Sequence, residues 1–461
     1  MNLKLMYKII CGLLIVGILS GVAYFLINRN NEKKKNNAGE NTLFSFDATT
    51  IDNILVDNES GEYSFEKDNN VWNIVDNDEN FKVNTYKMDT IAEYMAKLTA
   101  TQIIEENASD LSAYGLDKPI SITCSDGSKK YTILLGNATP TNSGYYVMKP
   151  DDKTVYCISA GDGVNIRATR DDLKDLYILD VGSSKISTFY LEKDGKVMFD
   201  LTKDSSAGWV MHAPVERNVN IANISSMLEL LVRAKVTSFV EEGENVNLAE
   251  YGLASPSYKL KLGTEDETVD VYFGDFKGET EIYGLFPKTN QVVTFNIYDL
   301  DFFDKSTSSV LNDVIHWIDM IDVSHIDLNL DGKEITMDMD MKDRSDTQPD
   351  ISINGTKVDS TDEDLLQSYN KFYTAIAGLY FSEVDVDAAP EDKDPAISIE
   401  YTLKEDGSKY TIELVAKDTQ YYYVFENGEY DGLILDGSTL DHQEGIRNSY
   451  NILVDDLGLA K

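Results

Sequence analysis

The stretch DLNLDG, 327–332, sets Asp327, Asn329, Asp331 and Gly332 at the spacing that opens a calcium loop, with Asp338 where such loops carry a glutamate. Apolar residues alternate across it, however: Ile326, Leu328 and Leu330, then Ile335, Met337 and Met339. A period of two around Asp-Gly is the pattern of a β-hairpin, and the turn LEKDGKV at 191–197 repeats it. The stretch therefore reads as a hairpin turn, and the acidic run DVDVDAAPEDKD, 385–394, as a solvated loop. His212, His316, His325 and His442 lack the spacing of zinc ligands. Cys11, Cys124 and Cys157 form no CxxC pair; the last two read as small buried strand residues, with a cross-strand disulfide as the alternative. GDGVNI, 161–166, lacks the third glycine of a dinucleotide loop, and neither G-x-S-x-G nor a P-loop occurs. A glycosidase pair needs two placed carboxylates, and nothing selects two from 80 acids. No catalytic residue, metal ligand or cofactor site is expected.

What does recur is a set of structural residues. Trp72 and Trp209 lie 137 residues apart, and so do YGLDKP at 114–119 and YGLASP at 251–256. Gly115 and Gly252 have no Cβ to clash at positive φ, which suits a tight turn. Pro119 and Pro256 cannot continue a helix or donate to a ladder, so they belong at or just before a strand. Tyr114 and Leu116, with Tyr251 and Leu253, flank the glycines and are expected to anchor the turn to the core.

The elements around these residues repeat as well. Ile51, Ile54 and Val56 open a hairpin; Ile186, Phe189 and Leu191 open a second, and Val323, Ile326 and Leu328 a third. Met88, Ile91, Tyr94, Met95 and Leu98 recur as Ile224, Met227, Leu230, Leu231 and Ala234, with the spacing of one helical face. Leu365, Leu366, Tyr369, Phe372, Tyr373 and Ile376 are the third version. Two more hairpins follow in each copy, and a short closing helix is expected near DDLKDLYIL, VLNDVIHWI and GIRNSYNILVDDL. The predicted fold class is α+β: tandem repeats of a twisted antiparallel sheet with packed helices, preceded by one N-terminal transmembrane helix. The predicted divisions are a short basic tail 1–8, a signal-anchor helix 9–27, a flexible polar linker 28–44, repeat units 45–181 and 182–318, and a divergent unit 319–461.

The order of Trp72, a helix, Tyr114, Gly115, Leu116, Pro119, a strand, Gly136 and Tyr146 resembles the bacterial family catalogued as domain of unknown function 4340. Trp209, Tyr251, Gly252, Leu253, Pro256, Gly274 and Tyr283 repeat that order, so the resemblance covers about 45–318. The third copy keeps Pro395 but lacks the Tyr-Gly-Leu and the tryptophan. The resemblance implies a bacterial protein anchored by one N-terminal helix and associated with ABC-type transport components. It carries over no catalytic residue.

The formal charge is −39, and residues 1–35 hold six basic side chains against one acid, so the body is more acidic still. Such a surface repels phosphate backbones and excludes nucleic acid as a partner. The run 9–27 is 19 residues without a charge; as a helix it spans about 28 Å, the thickness of a bilayer core. It reads as an uncleaved anchor, with cleavage after Ala23 the alternative. Gly17 and Gly21 give it a GxxxG face. Counting flanking charges alone puts the body in the cytoplasm. The short basic tail before the apolar run looks like a secretory start, and an extracytoplasmic body is the expectation. The expected function is a non-enzymatic scaffold or interaction module of a transport or cell-envelope complex. The alternatives are an extracytoplasmic small-ligand or glycan-binding protein and an acid-dependent envelope hydrolase.

Overall fold

A computed structural model describes residues 41–75, 81–204, 208–390 and 394–459. The tail 1–8, the apolar run 9–27 and the linker up to residue 40 lie outside the described residues, as do Cys11, Gly17 and Gly21. No helix among the described residues is long and apolar enough to cross a membrane. The chain divides into two compact units, Met1–Leu176 and Tyr177–Lys461.

The first unit holds one antiparallel sheet and the second holds two. Sheet one contains β1 (Asn53–Asn58), β2 (Gly61–Asp68), β3 (Val71–Ile74), β4 (Gln102–Glu105), β5 (Ile120–Ser125), β6 (Lys130–Ala138), β7 (Gly144–Met148) and β8 (Val155–Ser159). Their spatial order is 3-2-1-5-6-7-8-4. Sheet two contains β9 (Thr188–Lys193), β10 (Lys196–Asp204), β11 (Gly208–Ala213), β12 (Arg217–Asn218), β13 (Val236–Glu242), β14 (Tyr258–Gly263), β15 (Thr268–Lys277), β16 (Glu281–Phe286) and β17 (Gln291–Asn296). Sheet three contains β18 (Val323–Leu330), β19 (Lys333–Asp340), β20 (Asp350–Ile353), β21 (Thr356–Lys357), β22 (Glu383–Val384), β23 (Ile397–Leu403), β24 (Lys409–Ala416), β25 (Tyr421–Glu426) and β26 (Glu429–Asp436). With the two-residue edge strands β12 and β21 set aside, the orders 11-10-9-14-15-16-17-13 and 20-19-18-23-24-25-26-22 repeat the first. The third copy therefore keeps the topology although it lacks the Tyr-Gly-Leu turn.

One main helix follows the third or fourth strand of each copy: α1 (Thr85–Ala96) in the first, α3 (Ile221–Leu231) in the second and α4 (Glu363–Ala377) in the third; α2 (Ala160–Ile166) is a short helix after β8. Each main helix starts on a side-chain cap, Asn84, Asn220 or Asp362, that accepts from the first free backbone N–H groups. Met88, Ile91, Ala92 and Met95 bury one face of α1; Ile224, Met227, Leu228 and Leu231 do so in α3. Tyr369, Phe372, Tyr373 and Ile376 do so in α4, while Leu365 and Leu366 stay half-buried at its extra first turn. Each fully buried side chain of this size contributes about 1.5–3 kcal/mol, so packing rather than helix propensity holds these short helices.

Three expectations need correction. The body is mostly β, three antiparallel sheets with few helices, rather than α+β. Of the three predicted closing segments only GIRNSYNILVDDL forms an α-helix, α6 (Ile446–Asp456), which follows the short α5 (Ser438–Asp441). In the other copies the closing segment is a strap: Lys174 pairs with Val83 just before α1, and Leu311 with Val219 just before α3. Three residues beyond that second pairing, Val314 pairs with Tyr380 just after α4, so in the second unit one extended segment ties sheet two to sheet three. A strap needs free backbone groups on both edges, which a helix does not offer. Finally, the fold begins before residue 45: Thr42 pairs with Thr99, and Leu43 is buried.

Candidate functional site

Trp72 on β3 and Trp209 on β11 are both buried, opposite Lys67 and Lys203 of the neighbouring strand. The Trp72 indole donates to Asp89 at 2.9 Å. The Tyr-Gly-Leu turns match in detail. Gly115 and Gly252 adopt φ of 66° and 70° and end a short 3-10 turn. Tyr114 donates to Glu105 at 2.7 Å and meets the ring of Tyr146 at 5.0 Å. Tyr251 donates to Glu241 at 3.0 Å and meets Tyr283 at 4.9 Å. Leu116 sits in a small separate core with Met148 and Val155, and Leu253 in its counterpart with Leu285 and Val292. Pro119 directly precedes β5, and Pro256 lies two residues before β14. The turn is thus a bracket that closes a second, minor core. In the third copy the ring partner of Tyr423 is Tyr430, 5.4 Å away, whose hydroxyl donates to the Asp385 carbonyl at 2.7 Å.

The family model described as Domain of unknown function (DUF4340) matches residues 72–209 and again 209–397. The chain belongs to this family. No curated protein and no solved structure matches it. Each DUF4340 match begins on a buried tryptophan in the third strand of a sheet, and the first runs on to the third strand of the next. The sequence repeat of DUF4340 is therefore out of phase with the sheets, because the chain leaves one sheet for the next in mid-repeat.

The candidate chemical residues of this DUF4340 protein are spoken for. Asp331 and Gly332 take φ of 53° and 84° at the β18–β19 hairpin turn, and both Asp331 oxygens accept from Arg447, at 2.7 and 2.9 Å. Gly163 of GDGVNI lies in α2 against the Tyr145 ring, where a Cβ would come within 2.0 Å. Cys124 and Cys157 are buried and unpaired, on β5 and β8, and burial pushes the Cys124 thiol up to about 12. Among the described residues no group of three His, Cys, Asp or Glu side chains is arranged to hold a metal ion. A hydrolytic carboxylate pair needs one member held protonated. Asp126, Asp152, Glu192, Glu281 and Asp338 are instead held below the usual carboxylate range, chiefly by hydrogen bonds donated to them.

His325 is the one histidine set between carboxylates, with Nδ1 2.7 Å from Asp338 and Nε2 3.2 Å from Asp327. Partial desolvation opposes its charge, but the hydrogen bonds to Asp338 and Asp327 outweigh it and raise the pKa above 6.5. Asp338 moves the other way, below 3.8, chiefly through His325. The His325 contribution is complete below pH 6.5 and disappears as pH rises through its folded pKa; that of Asp338 is present above pH 3.8 and disappears as pH falls through its own. Urea titrations of the parent and His325→Gln across pH are expected to differ most between pH 3.8 and 6.5 and to converge in alkali. A gap that does not change with pH would contradict this linkage.

Among the hollows lined by described residues, two adjoin the third copy. An open groove of about 790 Å³ runs along α4 beside Leu366, Asn370, Thr374, His442, Ile446 and Ile452. The other lies at the seam between sheets two and three. There Arg217 of β12 donates to the Ile315 carbonyl at 2.6 Å, to Asp431 at 2.6 Å and to Glu426. Glu426 also accepts from Tyr410 at 2.8 Å, and the His316 ring stacks on Tyr410 at 4.1 Å. Partial desolvation pulls the His316 pKa below its ordinary value, with Glu426 opposing that shift and Arg217 adding to it. Of these seam residues only His316 is singled out by the sequence, and only as a histidine without zinc-ligand spacing. The one signal is a swap at an equivalent position three residues before the helix cap: Phe81, buried in the first core, against Arg217 in the second copy.

Proposed function

We propose that this DUF4340 chain is a membrane-anchored, extracytoplasmic interaction protein that holds a partner from an ABC-type transport or cell-envelope complex. The observation that carries the reading is the uncharged run 9–27, with only 13 residues between it and the first described residue. Thirteen residues reach at most about 45 Å, so an anchor at 9–27 keeps the body close to the bilayer surface. The acidic body avoids anionic headgroups, which favours presenting its faces to a protein. Three sheets of one topology, repeated along one chain, support a binding role over a catalytic one. Protease added to intact cells stripped of their wall is expected to degrade the body while cytoplasmic markers survive, and gentle solubilisation to co-purify a membrane protein. Protection of the body, or repeated purification of the chain alone, would count against this reading.

The groove along α4 favours a second reading, a small-ligand or glycan-binding protein. Its volume falls in the range of ligand sites, and it mixes apolar with amide and hydroxyl side chains. Saturable binding of a defined oligosaccharide that is lost in Asn370→Leu would select it.

A further inference from the structure

The pocket beside Trp317 has a chemistry of its own. We propose that it binds the guanidinium or ammonium group of a basic peptide segment on a protein partner. It is an open hollow of about 320 Å³ between Trp317, His316, Tyr410, Asp319, Asp322 and Leu403. Trp317 is 52% exposed, whereas Trp72 and Trp209 are buried. Its indole N–H donates to Asp319 at 2.8 Å, which fixes the ring beside that carboxylate. The other Asp319 oxygen accepts from Arg344, whose side chain is 79% exposed. The chain thus already seats a guanidinium against the Asp319 carboxylate beside Trp317, and it does so with a loosely held surface residue. An exposed pair of this kind is weak, so an incoming cation can displace Arg344. What the pocket offers that cation is a charge-assisted hydrogen bond to Asp319, the second carboxylate of Asp322 and the exposed face of an indole. The net charge of −39 draws basic segments toward it and repels acidic ones.

This inference rests on the interaction reading and names the chemistry of the partner. Its test does not depend on membrane sidedness. With the full-length chain in detergent micelles, acrylamide quenching reports mainly Trp317, because the other two tryptophans are buried. A peptide Ac-Gly-Arg-Gly-amide is expected to protect Trp317 saturably, and its citrulline counterpart is not. Asp319→Asn is expected to weaken binding about tenfold, the loss of one charge-assisted contact. Arg344→Ala is expected to tighten it, a gain that misfolding cannot produce. Equal protection by the two peptides, no protection, or unchanged or weaker binding in Arg344→Ala would overturn the proposal. A body that proves cytoplasmic would overturn the proposed function while leaving these results intact.

Discussion

Arg217→Met is expected to destabilise the second compact unit by about 3 kcal/mol. The arginine and Glu426 side chains are 14% and 15% exposed, so the pair is largely out of water. Removing the cation leaves Glu426 with Tyr410 as its donor and without a compensating charge. A buried charge stranded in this way costs about 3–5 kcal/mol. The lower end applies because Asp431, 38% exposed, can recover water. The same guanidinium also holds the Ile315 carbonyl of the strap that joins sheets two and three, so its loss acts on the seam rather than on either core. Urea unfolding followed through Trp209 and Trp317 should move to lower denaturant, while the transition reported by Trp72 in the first unit stays in place. Arg217→Met combined with Glu426→Gln should recover most of the loss, since the stranded charge is then gone. Equal midpoints for the parent and Arg217→Met would show that the cluster decorates the seam without holding it.

The difference between what could be read from the chain and what could not has a physical basis. Strand alternation, the helix faces and the Asp-Gly turns are local patterns with fixed periods, and the sheet orders follow from their repetition. Residues such as Met88, Ile224 and Tyr369 fall on the buried face because that periodicity leaves no other choice. The straps were misread as helices because DDLKDLYIL carries helix-forming residues, and pairing with Val83 overrides that weak preference. The seam cluster was invisible for a different reason. Arg217 and Glu426 are 209 residues apart, and nothing local marks one of 41 cations as the member of a seam cluster. The Trp317 pocket is hidden likewise: Asp319 is near it in sequence, but Tyr410 arrives from β24 and Arg344 from the loop between β19 and β20.

Gly136→Ala and Gly274→Ala are expected to cost about 3 kcal/mol each, with similar values for the two. The reason lies in the Tyr-Gly-Leu corner. A Cβ on Gly136 would stand 2.3 Å from the Tyr114 carbonyl oxygen, and one on Gly274 would stand 2.2 Å from that of Tyr251. Backbone oxygen cannot rotate away as a side chain can, so the corner must lift off the strand. Lifting it would separate Leu116 from Met148 and Val155, and Leu253 from Leu285 and Val292, opening both minor cores. The strand itself is shaped for this contact. The ladder from β6 to β7 shifts register between Leu135 and Ala138, and the ladder from β15 to β16 shifts between Phe273 and Phe276. The third copy supplies the control. It has no Tyr-Gly-Leu corner, Val415 stands where the glycine would be, and β24 pairs with β25 without a shift. Val415→Gly should therefore bring no relief and lose only a buried side chain and some backbone rigidity, whereas the two glycine variants should be rescued by nothing short of removing the corner. Thermal unfolding of the three variants side by side would decide the matter. A harmless alanine at Gly136 or Gly274 would mean that the bracket does not bear on the strand, and that the repeated Tyr-Gly-Leu is retained for some purpose other than closing the minor core.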